Sequence, residues 1–230
     1  MKVLVIDVGG SNAKLRLSEG KKRTKFETGP AFTPEQLISE SLKATSDWDY
    51  DAISIGFPAP VLFGKITHEP NNLAKGWVKF DFEKAFKKPV KIINDAAMQA
   101  IGSYEGKRML FVGLGTGLGS ALIVDYAVIP IELGELQYSE KLTIEDVLGK
   151  RGRKRLTEVK WEQTVHKIVE RWRIAFVVDY VVIGGGNAKR LKKFPAGSRR
   201  GENSNAFAGG ERLWDKTSTR GGGKRAFTVL

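Results

Sequence analysis

The sequence has no cysteine and only two histidines in 230 residues. Without thiols there can be neither disulfides nor thiolate metal sites, and that usage fits a cytoplasmic address. His68 and His166 stand apart from each other and read as ordinary surface or loop residues. No apolar run approaches the roughly 20 residues that a membrane span needs, so no membrane partner is expected. Met1-Lys2-Val3 runs straight into an apolar stretch without the layout of a signal peptide. Two nucleotide signatures are missing as well. There is no Gly-x-x-x-x-Gly-Lys-Ser/Thr run, and Gly113, Gly115, Gly117 and Gly119 miss the Gly-x-Gly-x-x-Gly spacing.

Against these absences, Leu4 to Ser11 is the informative stretch. Val3 to Val8 reads as a buried strand, because β-branched residues suit a pleated surface and the run is short for a helix. Asp7 inside it is anomalous, since a carboxylate is costly to desolvate unless it meets a cation or a water-filled cleft. Gly9 and Gly10 let the backbone turn and approach an anion, and Lys14 to Leu17 alternates like a returning strand. The product is a hairpin with a phosphate-sized cradle at its tip.

A chain of 25.4 kDa makes one large domain or two small lobes. Its net charge of +12 is unevenly spread: residues 1–149 hold 18 Lys and Arg against 19 Asp and Glu, residues 150–230 hold 20 against 7. A basic final third attracts polyanions such as nucleic acid, a membrane surface or a phosphate polymer, or serves as a solvated face.

Further along, Lys21 to Lys25 reads as a charged turn and Phe26 as the start of an edge segment. Pro34 to Thr45 is expected to be a helix, with Thr33 as cap, Pro34 at its first position and Leu37, Ile38, Ser41 and Leu42 on one face. Ala52 to Phe57 is a strand ending in a stiff Pro-rich turn, and Val61 to Thr67 one extended piece. A loop from Pro70 reaches Trp77, a short helix covers Phe82 to Phe86, and the strand at Lys91 stops at Asn94-Asp95, where Ala96 to Tyr104 continues as a helix.

The second half repeats the theme. Met109 to Leu114 and Ser120 to Val124 flank the turn Gly115-Thr116-Gly117-Leu118-Gly119. A basic helical region covers Ile144 to Arg155, and a longer helix carries the stripe Trp161, Val165, Ile168 and Trp172, read as core. A strand from Val177 to Ile183 closes in Gly184-Gly185-Gly186-Asn187 and a short helix through Leu191. Order is hard to predict after Ala196, and with it whether Trp214 and Phe227 pack back. Two strand, glycine turn and strand units predict an α/β protein of two lobes facing across a central cleft, divided as residues 1–105 and 106–230.

These residues resemble the repressor, open-reading-frame and kinase group (ROK) of sugar kinases within the actin and hexokinase superfamily, and within it the polyphosphate glucokinases. Asp7-Val8-Gly9-Gly10-Ser11 is similar to the first phosphate motif, Leu114 to Gly119 to the second, and Val182 to Asn187 to the adenosine motif. Ile93 to Ala97 is similar to the catalytic segment and Glu132-Leu133-Gly134 to the sugar-binding one. Asn71 to Trp77 and Asn205 to Gly210 are similar but less diagnostic. The resemblance implies ribonuclease-H-like lobes, a homodimer, and phosphoryl transfer from ATP or inorganic polyphosphate, with Mg²⁺, to a hexose, glucose above all.

By the same resemblance, Asp95 is the general base and Asn71, Asn72, Asn94, Glu132 and Glu135 face the sugar. Gly9, Gly10, Ser11, Asn12, Lys14, Gly115, Thr116 and Gly117 face phosphates, and Gly184, Gly185, Gly186 and Asn187 the nucleotide. Asp7 would orient Mg²⁺ through water. Asp95 also reads as a cap for the helix after it, and Asn94 as a turn residue; cap and base are compatible. Arg151, Arg153, Lys154 and Arg155 are candidates for a polyphosphate track.

One position departs from the family pattern. Glu135 stands where relatives usually carry a histidine, which exchanges a donor-or-acceptor ring for a group that only accepts when ionised. Convergence of Asp95, Glu132 and Glu135 predicts a raised carboxyl pKa or a recruited cation. It also predicts weakened glucose affinity or an altered hexose preference. The zinc-binding cysteines of many relatives are absent, so no zinc is expected. Two other readings stay open, a non-catalytic sugar or nucleotide sensor of the same fold and a nucleic-acid-binding protein. The second lacks a groove-entering element.

Overall fold

The computed structural model describes residues 1–202, 204–216 and 225–230, so 217–224 of the Gly-rich tail lie outside them. The chain forms β1 (Val3–Val8), β2 (Asn12–Leu17), β3 (Arg23–Glu27), α1 (Pro34–Ala44), β4 (Ala52–Phe57), the small hairpin β5 (Val61–Leu62) and β6 (Lys65–Ile66), α2 (Phe82–Phe86), β7 (Val90–Asn94) and α3 (Asp95–Ser103). It goes on through β8 (Arg108–Leu114), β9 (Leu118–Val124), β10 (Ala127–Ile131), the short pair β11 (Gln137–Ser139) and β12 (Leu142–Thr143), α4 (Ile144–Leu148), α5 (Lys150–Arg155) and α6 (Glu158–Ala175). The last elements are β13 (Tyr180–Gly184), β14 (Ser198–Arg200), α7 (Asn205–Arg212) and β15 (Thr228–Val229).

One topology occurs twice. The first sheet runs β3-β2-β1-β4-β7 and the second β14-β13-β8-β9-β10-β15. In each, an antiparallel meander of three strands is extended by two parallel strands beside its first member. β15 adds one strand parallel to β10. The two-residue period of a strand then decides what each face meets. Leu4, Ile6 and Val8 pack outward with α1, α2 and Trp77, while Leu110, Val112 and Leu114 pack outward with α4 and α6. Val3, Val5, Met109 and Phe111 face inward and enclose α3 and α7 between the sheets. Asp7 is in phase with Val3 and Val5, so it emerges on the inner face where the lobes part.

Local chemistry accounts for most boundaries. Thr33 and Gln36 form a reciprocal capping box at α1, Asp81 caps α2, and Thr157 caps α6. Trp77 is fully buried, 4.8 Å from the Phe57 ring. Its loop is gathered by Glu69, whose carboxylate accepts the N–H groups of Gly76, Trp77 and Val78.

Several expectations are corrected. β3 already begins at Arg23, within the expected charged turn, because its register with β2 runs Arg16↔Arg23 to Asn12↔Glu27. Leu42 does not join the buried face of α1 and is 43% exposed. Val61 to Thr67 is a tight hairpin rather than one extended piece, with Phe63 and Gly64 at positive φ. The basic helical region is two helices broken at Gly149, whose backbone is extended and whose Cβ would lie 2.8 Å from the Glu145 carbonyl oxygen. The strand expected from Val177 starts at Tyr180, since Val177 takes a left-handed φ of 51° in the turn after α6.

The stretch after Ala196, whose order the sequence left open, is folded over residues 198–200 and 205–212. α7 packs along α3 and also touches β1 and β4. The approach is so close that a Cβ on Gly102 would collide with the Asn205 carbonyl oxygen. Ser54 Oγ donates to the Gly210 carbonyl at 2.6 Å and accepts from Trp214 Nε1 at 2.9 Å. Trp214 and Phe227 both pack against the inner core.

Candidate active site

The tip of the β1–β2 hairpin is closed by Gly9 N–H donating to Asn12 O at 3.0 Å, and that of β8–β9 by Gly115 N–H to Gly117 O at 3.0 Å. Those two donors serve the turns, and among the described residues the backbone N–H groups of Gly10, Ser11, Thr116 and Gly117 have no protein acceptor. Each tip is also anchored from outside. Thr28 Oγ1 donates to Gly9 O at 2.6 Å, and Thr28 N–H to Ser11 O. At the second tip, Asn187 N–H reaches Leu114 O, Asn187 Nδ2 reaches Gly115 O at 2.8 Å, and Lys150 N–H reaches Thr116 O. Glu145 accepts the Leu118 N–H at 2.9 Å. With its carbonyls occupied from behind, the turn leaves free N–H groups, the arrangement that receives an anion.

Both hairpins border one cleft of about 560 Å³. Asp7 and Lys14 come from the first, Gly115 and Thr116 from the second, and Gly185, Gly186 and Asn187 from the turn after β13. Lys14 sits opposite Asp7 in the β-ladder, its Nζ 3.7 Å from the carboxylate. Burial raises the Asp7 pKa, and the Lys14 ammonium pulls it back. Four further cations not all foreseen line this cleft: Lys150, Arg153, Lys189 and Arg190. Of the expected track only Arg153 is there. Arg151 stands 3.8 Å from the Asp146 carboxylate, and Arg155 donates to the Asp146 carbonyl. Gln99 also lines the cleft. It was legible in principle, since it lies one helical turn after Asp95 and therefore on the same face.

A second cavity of about 480 Å³ shares Gly185, Gly186 and Lys189 and continues to Arg200, Gly201, Glu202 and Ser204.

Asp95 opens α3 and lies near enough to Asp7 for the two carboxylates to interact. Its carboxyl is raised to about 7, first by burial, then by the nearby Asp7 carboxylate and, more weakly, by Glu132; the N–H of Ala96, 2.7 Å away, opposes this. The cap of α3 is Asn94, whose Oδ1 accepts the N–H groups of Ala96 and Ala97 and whose Nδ2 donates to Ala59 O. This reverses the expected division between the two residues. Asn94 is 8% exposed and has one N–H left for a ligand.

Glu132 and Glu135 flank one short turn, with Glu135 N–H bonded to Glu132 O at 3.1 Å. The Glu132 pKa is raised by partial burial and then by the Glu135 and Glu145 carboxylates. A chain of carboxylates thus runs from Asp7 through Asp95 to Glu132 and Glu135. Asn71 and Asn72 are exposed on the loop before Trp77, and a Cβ on Gly10 would lie 3.0 Å from that of Asn72, which sets this loop against the first hairpin. Among the described residues, no group of three or more His, Cys, Asp or Glu is placed to hold a metal ion, and no helix is long and apolar enough to cross a membrane.

A repeated three-strand meander with two parallel strands, glycine hairpins facing one cleft and a carboxylate between the lobes define the actin and hexokinase class of fold. Within it the chain belongs to the ROK family, whose model matches residues 3–130. A glucokinase of Pyrobaculum calidifontis is 30% identical over 134 residues, 54% of this chain and 44% of that protein's own length. The inorganic polyphosphate/ATP-glucomannokinase from Arthrobacter sp. strain KM superposes with a TM-score of 0.76 at 22% identity, covering 91% of this chain and 96% of that one. A ROK family glucokinase from Streptomyces griseus, solved with glucose and AMPPNP, superposes at 0.72 and 14% identity over 93% and 99% of the two chains.

Proposed function

We propose that this chain is a sugar kinase that moves a phosphoryl group from ATP or inorganic polyphosphate to a hexose hydroxyl, with glucose the first acceptor to test. The observation that carries the reading is the position of Asp95, with Asp7 and the donor-side cleft on one hand and Glu132 on the other. A carboxyl whose pKa lies near 7 is matched to accepting a proton at neutral pH.

In this reading the sugar hydroxyl gives its proton to Asp95 as its oxygen bonds to the terminal phosphorus. The bond to the leaving phosphate oxygen breaks, and the charge passes to the remaining donor chain. The transition state is loose, so the protein contributes mainly position and charge. N–H groups of Gly10, Ser11, Thr116 and Gly117 and the ammonium of Lys14 hold the phosphate oxygens. Glu132, Glu135 and the free N–H of Asn94 orient the sugar, and Asn71 and Asn72 close its loop side.

A Mg²⁺ ion fits this donor set. Asp7 lines the cleft with a carboxylate close enough to disturb Asp95, and a cation held by Asp7 would relieve that repulsion. Mg²⁺ is usually held by one or two carboxylates, waters and substrate phosphates rather than by a protein cage, and there it neutralises developing phosphate charge. Asp7 would hold it.

The donor side favours a phosphate polymer. Lys14, Lys150, Arg153, Lys189 and Arg190 surround the cleft, and the second cavity adds Arg200 with, among the described residues, no aromatic or aliphatic side chain to sandwich a base. Measuring hexose-dependent consumption of ATP and of polyphosphate at low and high salt, for a panel of sugars, tests the whole reading. Activity lost in Asp95→Asn supports it. A protein that binds hexose yet transfers nothing to any sugar is a sensor instead.

A further inference from the structure

We infer that Gln99 is a donor-binding residue, its side-chain amide holding an oxygen of the phosphate chain; this rests on the proposed kinase reading. Gln99 follows Asp95 by one turn of α3, so the two share a face, and its side chain borders the cleft between the hairpins. It is partly buried beneath the end of β13, where a Cβ on Gly184 would lie 3.5 Å from its Oε1. Yet its carboxamide has no hydrogen bond among the described residues. Asn187, the other carboxamide of the wall, is engaged with Gly115. A side chain held in place with its polar end unpaired and facing a cavity lined by five cations is set to donate to an anion.

The neutrality of this donor matters. A lysine or arginine at 99 would lie one turn from Asp95 and close to Asp7, and would favour the ionised carboxylate. An amide can hold a phosphate oxygen without drawing Asp95 away from the neutral range. Donor positioning and base strength therefore stay separate on one helix face.

Calorimetric titration of tripolyphosphate and, separately, of a hexose into the full chain tests this with Gln99→Met, Gln99→Glu and Gln99→Lys. Met keeps the volume and removes the amide, and tripolyphosphate affinity is expected to fall about tenfold, as for one hydrogen bond to a charged group. Glu places a charge against the phosphates and is expected to cost more. Hexose affinity stays within about twofold of wild type in both. In Gln99→Lys the acidic limb of the pH–rate profile moves to lower pH. Gln99→Asn, which withdraws the amide by one methylene, replaces Met if that variant does not fold. Unchanged tripolyphosphate affinity in folded Met and Glu variants overturns the inference, as does an equal loss for hexose. A wild type that binds tripolyphosphate through Gln99 but phosphorylates no hexose upholds the inference and removes the kinase reading; one that phosphorylates a hexose but binds no tripolyphosphate overturns the inference and leaves the kinase reading standing.

Discussion

Asp95→Asn is expected to stabilise the protein at neutral and alkaline pH while disabling it. The Asp95 carboxyl is raised from 3.8 to about 7 in the fold. Between those values the native state keeps a proton that the unfolded chain has lost, so the free energy of unfolding falls as pH rises through the window. At 1.36 kcal/mol per unit the full loss is about 4 kcal/mol, complete once pH passes the folded pKa. Asparagine has the same shape and no charge, so it escapes that loss. Urea unfolding of both proteins from about pH 4 to about pH 8, followed by tryptophan fluorescence without phosphate or divalent cations, measures it. The difference in stability between variant and wild type is expected to grow steadily with pH. Turnover by the wild type rises across the same interval, since only the ionised form accepts a proton, and the variant loses about 10²- to 10⁴-fold. A stability difference that does not vary with pH would refute the burial and charge argument for this site.

Four other outcomes follow from the same geometry. Arg153→Ala and Lys150→Ala raise the polyphosphate Michaelis constant several-fold in a salt-dependent manner, while Arg151→Ala and Arg155→Ala, tied to Asp146, leave it within error; steady-state assays at two salt concentrations decide. Glu135→His lowers the raised pKa of Glu132 and decreases the glucose Michaelis constant, and an unchanged constant would contradict the role given to Glu135. Asp7→Asn removes the second cause of the Asp95 shift, so the Asp95 titration, read by carboxyl carbon resonance, moves to lower pH. Gly102→Ala meets the Asn205 carbonyl and destabilises by about 1–3 kcal/mol through forced separation of α3 and α7, measurable by denaturant titration.

The parts of this molecule that the sequence discloses are those where a local signal and a tertiary demand coincide. β1 is legible because its apolar run is interrupted by a single carboxylate, and α1 because Thr33, Pro34 and Gln36 state its start chemically. The hairpin turns, the segment around Asp95 and the stripe of α6 are legible for similar reasons. What escapes is decided at long range. α7 carries three residues of weak helical propensity, Asn205, Gly209 and Gly210, and is helical because those glycines allow it to lie against α3 and β1. The basic run from Lys150 looks uniform in sequence, yet Asp146 claims two of its arginines and the cleft claims others. Lys189 and Arg190 enter the site through the turn after β13, whose position depends on its bond to the second hairpin.

The return of the late segment to the earliest strands has a consequence for biosynthesis. Ser54 meets its partner Gly210 only after 156 further residues have been made, and Gly210 packs so closely on Val5 that no Cβ would fit. Until then α3 covers only part of the underside of the first sheet, and the part that α7 occupies is bare. A nascent chain stalled short of that point would present bare apolar surface to chaperones, so the opening strands reach their final packing only once this late segment has been made.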